Sequence, residues 1–320
     1  MSYLVNPYMV VADVPADSTY GMWMGGRQGV PVNGYIAEIN RITIGTSGSG
    51  EDFGDLSVAR GWTMAVADAT RGVCGGGGAY KDTIDYVTVA GSVGGTATAW
   101  GADLSAPREQ AGSCCDETHG LFCGGLKNSP VATLATCDHI TIQTTGVVSD
   151  WGDLQAPRYT STGCCTTGVL NNSHGMIFSG YVGNYGSDAP LPSIQYVPIA
   201  ATGTASDFGD CLAIRLDAGA VANDSRALVA GGSNTGGKEK SCDYFAVGTT
   251  GVAGNFGDLI NNNVGLKGAN NATYGMFAGG QDGTGAYIAD IEFVTIASLG
   301  DGQSFGDLTV NASGCGGCSA

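Results

Sequence analysis

The chain has 320 residues, 55 of them glycine, and a formal charge of −16 from 13 Lys and Arg against 29 Asp and Glu. Glycine is more than twice its usual share and charged residues, at 13%, are about half theirs, which excludes a helical bundle, a coiled coil and a disordered chain. The acidic balance argues against nucleic acid and anionic lipid as partners, and no run approaches the roughly 20 apolar residues of a membrane-spanning helix.

The opening segment MSYLVNPYMVVADVP has no basic stretch, long apolar core or small-residue cleavage site, so no secretory signal is expected. Synthesis in a cytoplasm follows, where eleven cysteines are unusually many. Further along, an aromatic residue followed by Gly and an Asp-Leu pair recurs six times. The copies are Phe53-Gly54-Asp55-Leu56, Trp100-Gly101-Ala102-Asp103-Leu104, Trp151-Gly152-Asp153-Leu154, Phe208-Gly209-Asp210-Cys211, Phe256-Gly257-Asp258-Leu259 and Phe305-Gly306-Asp307-Leu308. Successive aromatic positions differ by 47, 51, 57, 48 and 49, a repeat close to fifty residues.

Two other markers keep the same count and phase. Apolar residues run into a small doublet at Gly25-Gly26, Gly75-Gly76, Gly124-Gly125, Ser179-Gly180, Gly231-Gly232 and Gly279-Gly280. A segment with period-two alternation follows each: Ile39 to Ile44, Ile84 to Val89, Cys137 to Ile142, Ile194 to Ile199, Cys242 to Val247 and Ile291 to Ile296. One unit reads as four short strands joined by Gly, Ser, Asn and Asp turns; in the second unit these are Trp62 to Ala67, Gly72 to Gly75, Ile84 to Ala90 and a strand ending at Trp100. Such a unit cannot cover both faces of its own sheet and must stack on neighbours.

The expected fold is therefore all-β, a six-bladed β-propeller of four-stranded antiparallel blades forming a single domain over 1–320. The blades span approximately 8–56, 57–104, 105–154, 155–211, 212–259 and 260–308, with a Cys-containing tail over 309–320. Tyr8 to Asp13 is the expected first inner strand. The tail then either displaces that strand, closes the ring, or stays available for a neighbour.

The glycine doublet, the period and the later aromatic resemble the kelch repeat. The Phe-Gly-Asp-Leu element, with the turn at Ser206-Asp207-Phe208 and the strand Tyr86-Val87-Thr88-Val89, resembles repeats of virion proteins from tailed bacteriophages. That resemblance implies a non-enzymatic structural component associated with a tail, neck or fibre, with other virion proteins as partners. It would be made in the host cytoplasm, then carried outside on the particle, and would contact a host-surface glycan or protein.

In the Gly-Asp pair, glycine permits a turn and the carboxylate is expected to accept nearby N–H groups. Six acids in register raise the alternative of a metal site, but they lie a blade width apart, so no metal is expected. Arg60, Arg108, Arg158 and Arg215 follow four of the anchors at one register and are expected to pair with these turn aspartates; Asn263 and Ala312 stand there after the fifth and sixth anchors. His119 and His174 occupy a place held elsewhere by Tyr20, Arg71, Arg226 and Tyr274, and His139 one held by Tyr86, Tyr196, Tyr244 and Phe293, which makes all three histidines structural. There is no Gly-x-Ser-x-Gly elbow, phosphate loop or zinc-protease helix. No catalytic residue and no cofactor is expected.

Cys74, Cys123, Cys137, Cys211 and Cys242 stand at buried apolar positions of the repeat and are expected as core thiols. Cys114, Cys115, Cys164, Cys165, Cys315 and Cys318 form a second group, with Cys114, Cys164 and Cys318 at one inner-strand register. Inert packing, a zinc site and disulfides within or between subunits compete for it; these six are the disulfide candidates.

The loops between second and third strands vary most and share one face with the connections between blades. Exposed tyrosines there, Tyr80, Tyr181, Tyr185 and Tyr287, are the candidate ligand-binding residues, since a phenol combines apolar area with a polar handle. The alternatives to a structural role are a carbohydrate-binding module on that face and a glycan-active enzyme using loop carboxylates.

Overall fold

The computed structural model describes residues 20–29, 34–46, 48–78, 80–90, 95–164 and 174–320. Among them the structure is all-β, without a helix. Five sheets are four-stranded antiparallel meanders, running from an inner to an outer strand in chain order. Sheet 2 is Met64–Ala67, Arg71–Gly77, Lys81–Thr88 and Thr98–Ala99; sheet 3 is Gly112–Cys115, His119–Cys123, Thr136–Thr141 and Ser149–Asp153. Sheet 4 is Thr162–Cys164, His174–Phe178, Ser193–Pro198 and Ser206–Asp210; sheet 5 is Gly219–Ala222, Arg226–Ala230, Ser241–Ala246 and Gly254–Asp258. Sheet 6 is Lys267–Asn270, Tyr274–Ala278, Asp290–Thr295 and Gln303–Asp307.

Sheet 1 is assembled from both ends of the chain. Its second, third and fourth strands are Tyr20–Gln28, Gly34–Thr43 and Glu51–Asp55, with the short Gly95–Thr96 added in parallel at the outer edge, and its inner strand is Gly316–Ser319, antiparallel to the second strand from Gly21↔Ser319 to Met24↔Gly316. The tail thus holds the place expected for Tyr8 to Asp13, a segment outside the described residues. Each inner strand packs beside the next, and Gly316–Ser319 packs beside both Lys267–Asn270 and Met64–Ala67.

Both faces of each of these six sheets are covered. Alternate side chains of one strand enter different cores: Met22 and Met24 pack with Ala65, Ala67 and Cys74 of sheet 2, whereas Trp23, between them, packs with Met276 and Phe305 of sheet 6. Six such clusters fill the spaces between successive sheets, each fully buried Leu, Ile or Phe contributing about 1.5–3 kcal/mol. This two-sided burial explains second strands that are apolar without alternation, such as Ala227 to Ala230.

The recurring Phe-Gly-Asp-Leu element stitches sheet to sheet. Between sheets 4 and 5 the carbonyls of Phe208 and Asp210 accept the N–H groups of Gly251 and Ala253 at 2.9 and 3.1 Å. Trp151 and Asp153 serve Gly203 and Ala205 likewise, Phe256 and Asp258 serve Gly300 and Gly302, and Phe305 and Asp307 serve Gly48 and Gly50. The intervening glycine has φ between 133° and 159° in these four copies, and a Cβ there would strike the carbonyl oxygen of the next sheet's glycine. Ala102 interrupts the element after Trp100, and there Trp100 Nε1 donates to Val147 O at 3.3 Å.

The glycine doublets follow the same logic at the other end of the second strand. Gly25, Gly76, Gly124, Gly231 and Gly279 are left-handed, and Ser179 takes that role with φ 48°. In sheet 2 the turn is Gly76-Gly77, one residue later than expected; Gly75 instead ends the apolar strand, opposite Ile84, where the Phe122 ring fills its missing side chain.

Candidate binding face at the connector end

The connections between sheets carry the four arginines, all with 0 to 1% exposure. Their partners are not the turn aspartates. Arg60 pairs with Asp85 at 3.1 Å, Arg108 with Asp138 at 3.0 Å and Arg215 with Asp243 at 2.7 Å, each acid lying on the third strand. Those third-strand residues also accept the N–H that follows each turn: Ser57 N donates to Asp85, Ser105 N to Asp138 and Leu212 N to Asp243. The other three sheets repeat this bond with different acceptors, from Gln155 N to Gln195, Ile260 N to Glu292 and Thr309 N to Asn40. The carboxylates expected to accept turn N–H groups are therefore one strand away. Asp55, Asp153, Asp210 and Asp307 contribute main-chain carbonyls while their side chains are exposed.

Two residues beyond each arginine position the backbone turns left-handed: Trp62, Gln110, Thr160, Asp217, Gly265 and Gly314 have φ from 53° to 77°. Main-chain bonds link these residues from one connection to another. Gln110 N donates to Trp62 O at 3.2 Å, Asp217 N to Thr160 O at 2.9 Å, Gly265 N to Asp217 O and Gly314 N to Gly265 O, both at 2.8 Å. Four of the six carry side chains in a conformation that costs roughly 1–2 kcal/mol each. Below them the inner strands enclose a cavity of about 20 Å³, lined by Thr63, Ser113, Thr162, Lys267 and Gly316 among others, enough for a single water molecule.

Three titratable groups at this end are shifted by burial. Burial pushes the Glu109 carboxyl up to about 7, with Asp217 adding to the rise and the Tyr80 N–H opposing it. Asp217 is raised to about 6 by burial against the pull of Lys267, whose ammonium is itself lowered by burial. Glu109 Oε2 and Thr160 Oγ1 are buried without a hydrogen-bond partner among the described residues.

The candidate tyrosines divide. Tyr80 is left-handed, with φ 52°, and burial raises its phenol, with Glu109, Tyr185 and Tyr35 as electrostatic neighbours. Tyr181 stacks on Tyr159 with centroids 5.1 Å apart, and Tyr185, 53% exposed, lies 6.2 Å from the same ring. The Tyr287 ring lies against Gly29, the residue after the Tyr20–Gln28 strand of the first sheet. Sequence reasoning missed Trp62, Glu109, Tyr159, Asp217 and Lys267. Nine residues beyond the aromatic anchors, glycine at 265 and 314 was the available signal of a left-handed position.

At the opposite end, each second-strand start stacks on third- and outer-strand partners. Arg71 lies over Tyr86 and Arg226 over Tyr244; Arg41, on the third strand, lies over Tyr20 and Phe53. In sheet 3 the set is His119, His139 and Trp151, with His139 stacked on Trp151 at 3.8 Å and lowered to about 4 by burial and by His119.

Cys114, Cys164, Cys315 and Cys318 are buried free thiols in the intersheet cores. Cys115 is disulfide-bonded, and Cys165 lies outside the described residues. Cys74, Cys123, Cys137, Cys211 and Cys242 are core thiols. No group of three or more metal-ligating side chains occurs among the described residues. No protein-family model matches the chain, and no curated protein matches its sequence.

Proposed function

We propose that the chain is a closed six-bladed β-propeller and serves as a non-enzymatic structural component of a tailed-phage virion, joined to other virion proteins at a tail, neck or fibre. The observation that carries the scaffold reading is the pairing of Gly316–Ser319 with Tyr20–Gln28, which ties the C-terminal strand to the first sheet while every inner strand has two inner-strand neighbours. The virion context rests on the resemblance of the Phe-Gly-Asp-Leu repeats. Mass spectrometry and imaging of purified particles test it: the chain is expected as a stoichiometric component, and its absence from intact particles defeats the reading.

A second reading, glycan binding by the connector face, is favoured by the stacked Tyr159–Tyr181 pair with the exposed Tyr185 ring beside it. Glycan-array binding by the full chain that is lost in Tyr185→Ala supports it. Cleavage of array glycans would instead favour the enzymatic alternative.

A further inference from the structure

Sheet 3 sets two thiols directly opposite each other. In every sheet the residue before the small doublet, at the end of the second strand, faces the start of the third. The third-strand residue there is Ile39, Ile84, Ile194 or Ile291 in four sheets and Cys242, facing Ala230, in sheet 5. In sheet 3 the pair is Cys123↔Cys137. Both are buried free thiols in the core between sheets 3 and 4, at a place that the other sheets fill without a pair of sulfurs.

The ladder decides how these side chains meet. Gly124 N donates to Thr136 O, and further along Ile142 N donates to Thr118 O. Hydrogen-bonded and non-hydrogen-bonded pairs alternate along an antiparallel ladder, so Cys123 and Cys137, one step from Gly124 and Thr136, are a non-hydrogen-bonded pair. The Cα atoms of such a pair stand about 4.5 Å apart with both side chains on one face, within the roughly 4.4–6.8 Å that a disulfide spans. Cys114, the third thiol of this core, faces Leu121 instead. Diagonal neighbours of that kind are about 7–8 Å apart, beyond the disulfide range. Register therefore selects Cys137 over Cys114 as the partner of Cys123.

The thiols also touch. A hydrogen bond with Cys123, and then burial, hold the Cys137 thiol well above the ordinary range. Burial, then a hydrogen bond with Cys114, raise Cys123 against the opposing bond with Cys137. Thiols that keep their protons in a closed core exchange slowly, so the chemistry belongs to the chain before sheet 4 covers sheet 3.

We infer that Cys123 and Cys137 are an oxidation site, closing into one cross-strand disulfide when the folding chain meets a low-molecular-weight disulfide. One cysteine thiolate attacks the small disulfide, which forms a mixed disulfide and expels one small thiolate. The other cysteine thiolate then attacks the mixed disulfide at its cysteine sulfur and expels the second. The two protons lost by the cysteines are taken up by the two small thiolates, so one cysteine pair is oxidised and one small disulfide is reduced to two thiols. The finished bond lies under sheet 4, shielded from reductant. This inference is independent of the virion and glycan readings.

Refolding the reduced full chain from urea with oxidised glutathione, followed by differential alkylation, tryptic mapping and fragmentation of linked peptides, tests it. A Cys123–Cys137 link is expected, opened by dithiothreitol in urea but not in native buffer. Cys137→Ile, which installs the residue of four other sheets, is expected to fold and to show a rise in Tm on oxidation about 3–5 °C smaller than the parent's; that difference separates this bond from the one at Cys115. Ala230→Cys recreates the pair opposite Cys242 and is expected to link there. Alkylation of both Cys123 and Cys137 after oxidative refolding, a Cys123–Cys114 link in their place, or a folded Ala230→Cys that stays reduced would each overturn the inference.

Discussion

The guanidinium of Arg215 meets the carboxylate of Asp243 at 2.7 Å, with both side chains no more than 2% exposed. The same arginine donates to the carbonyls of Gly231 and Ser241, and the same aspartate accepts the N–H of Leu212. One ion pair thereby joins the connection, the second-strand turn and the third strand of sheet 5. Removing one partner leaves a buried charge, so Asp243→Asn and Arg215→Met are each expected to lose about 3–5 kcal/mol. The double variant should lose less than the sum of the two, as measured by urea denaturation in a double-mutant cycle.

Sheet 4 has the arginine without the acid. Gln195 stands where Asp85, Asp138 and Asp243 stand in sheets 2, 3 and 5, and burial lowers Arg158 to about 10. Gln195→Asp supplies the missing charge at a position whose geometry three sheets already accept. It is expected to stabilise the chain by about 1 kcal/mol at pH 7, with the gain lost in acid as the new carboxylate protonates. A lower Tm at pH 7 would count against the equivalence of these positions.

The stitch between sheets 4 and 5 predicts a contrast between two glycines. A Cβ at Gly209, where φ is 143°, would collide with the carbonyl of Gly251, whereas one at Gly251 itself meets nothing within 4 Å. Gly209→Ala is expected to cost about 2–4 kcal/mol and Gly251→Ala less than about 1 kcal/mol. Equal thermal shifts in the two would contradict the close approach.

Acid and base affect opposite ends of the molecule with opposite sign. Glu109 holds its proton up to about 7, above its ordinary 4.5, so its contribution is full below pH 4.5 and disappears as pH rises through 7. Glu109→Gln should therefore gain about 1 kcal/mol relative to the parent between pH 5 and pH 8, allowing for solvent screening of a partly exposed group. His139 is lowered from 6.5 to about 4, so the unfolded chain takes up that proton first and stability falls as pH drops across that window. His139→Phe, the residue type that sheet 6 carries as Phe293, should flatten this fall by about 1 kcal/mol. Urea midpoints at pH 4, 5, 6.5 and 8 check both.

Repetition was legible because local chemistry repeats with it. Any reader of the chain meets the aromatic-Gly-Asp-Leu element, the doublets and the alternating third strands in six registered copies, and these determine an all-β chain and the burial of Cys74, Cys123 and Cys242. The equivalence of His139 with Tyr86 and Phe293 is legible for the same reason. Partnership was not legible. Arg60 and Asp85 are 25 residues apart and look no more related than Arg60 and the nearer Asp55; only the return of the third strand beneath the connection selects the pair. The main-chain bonds from Gln110 N to Trp62 O and from Asp217 N to Thr160 O likewise join different repeats across the connector end. Spacing within one unit encodes its strands, but a contact between units depends on how whole sheets pack, and tertiary structure alone decides that.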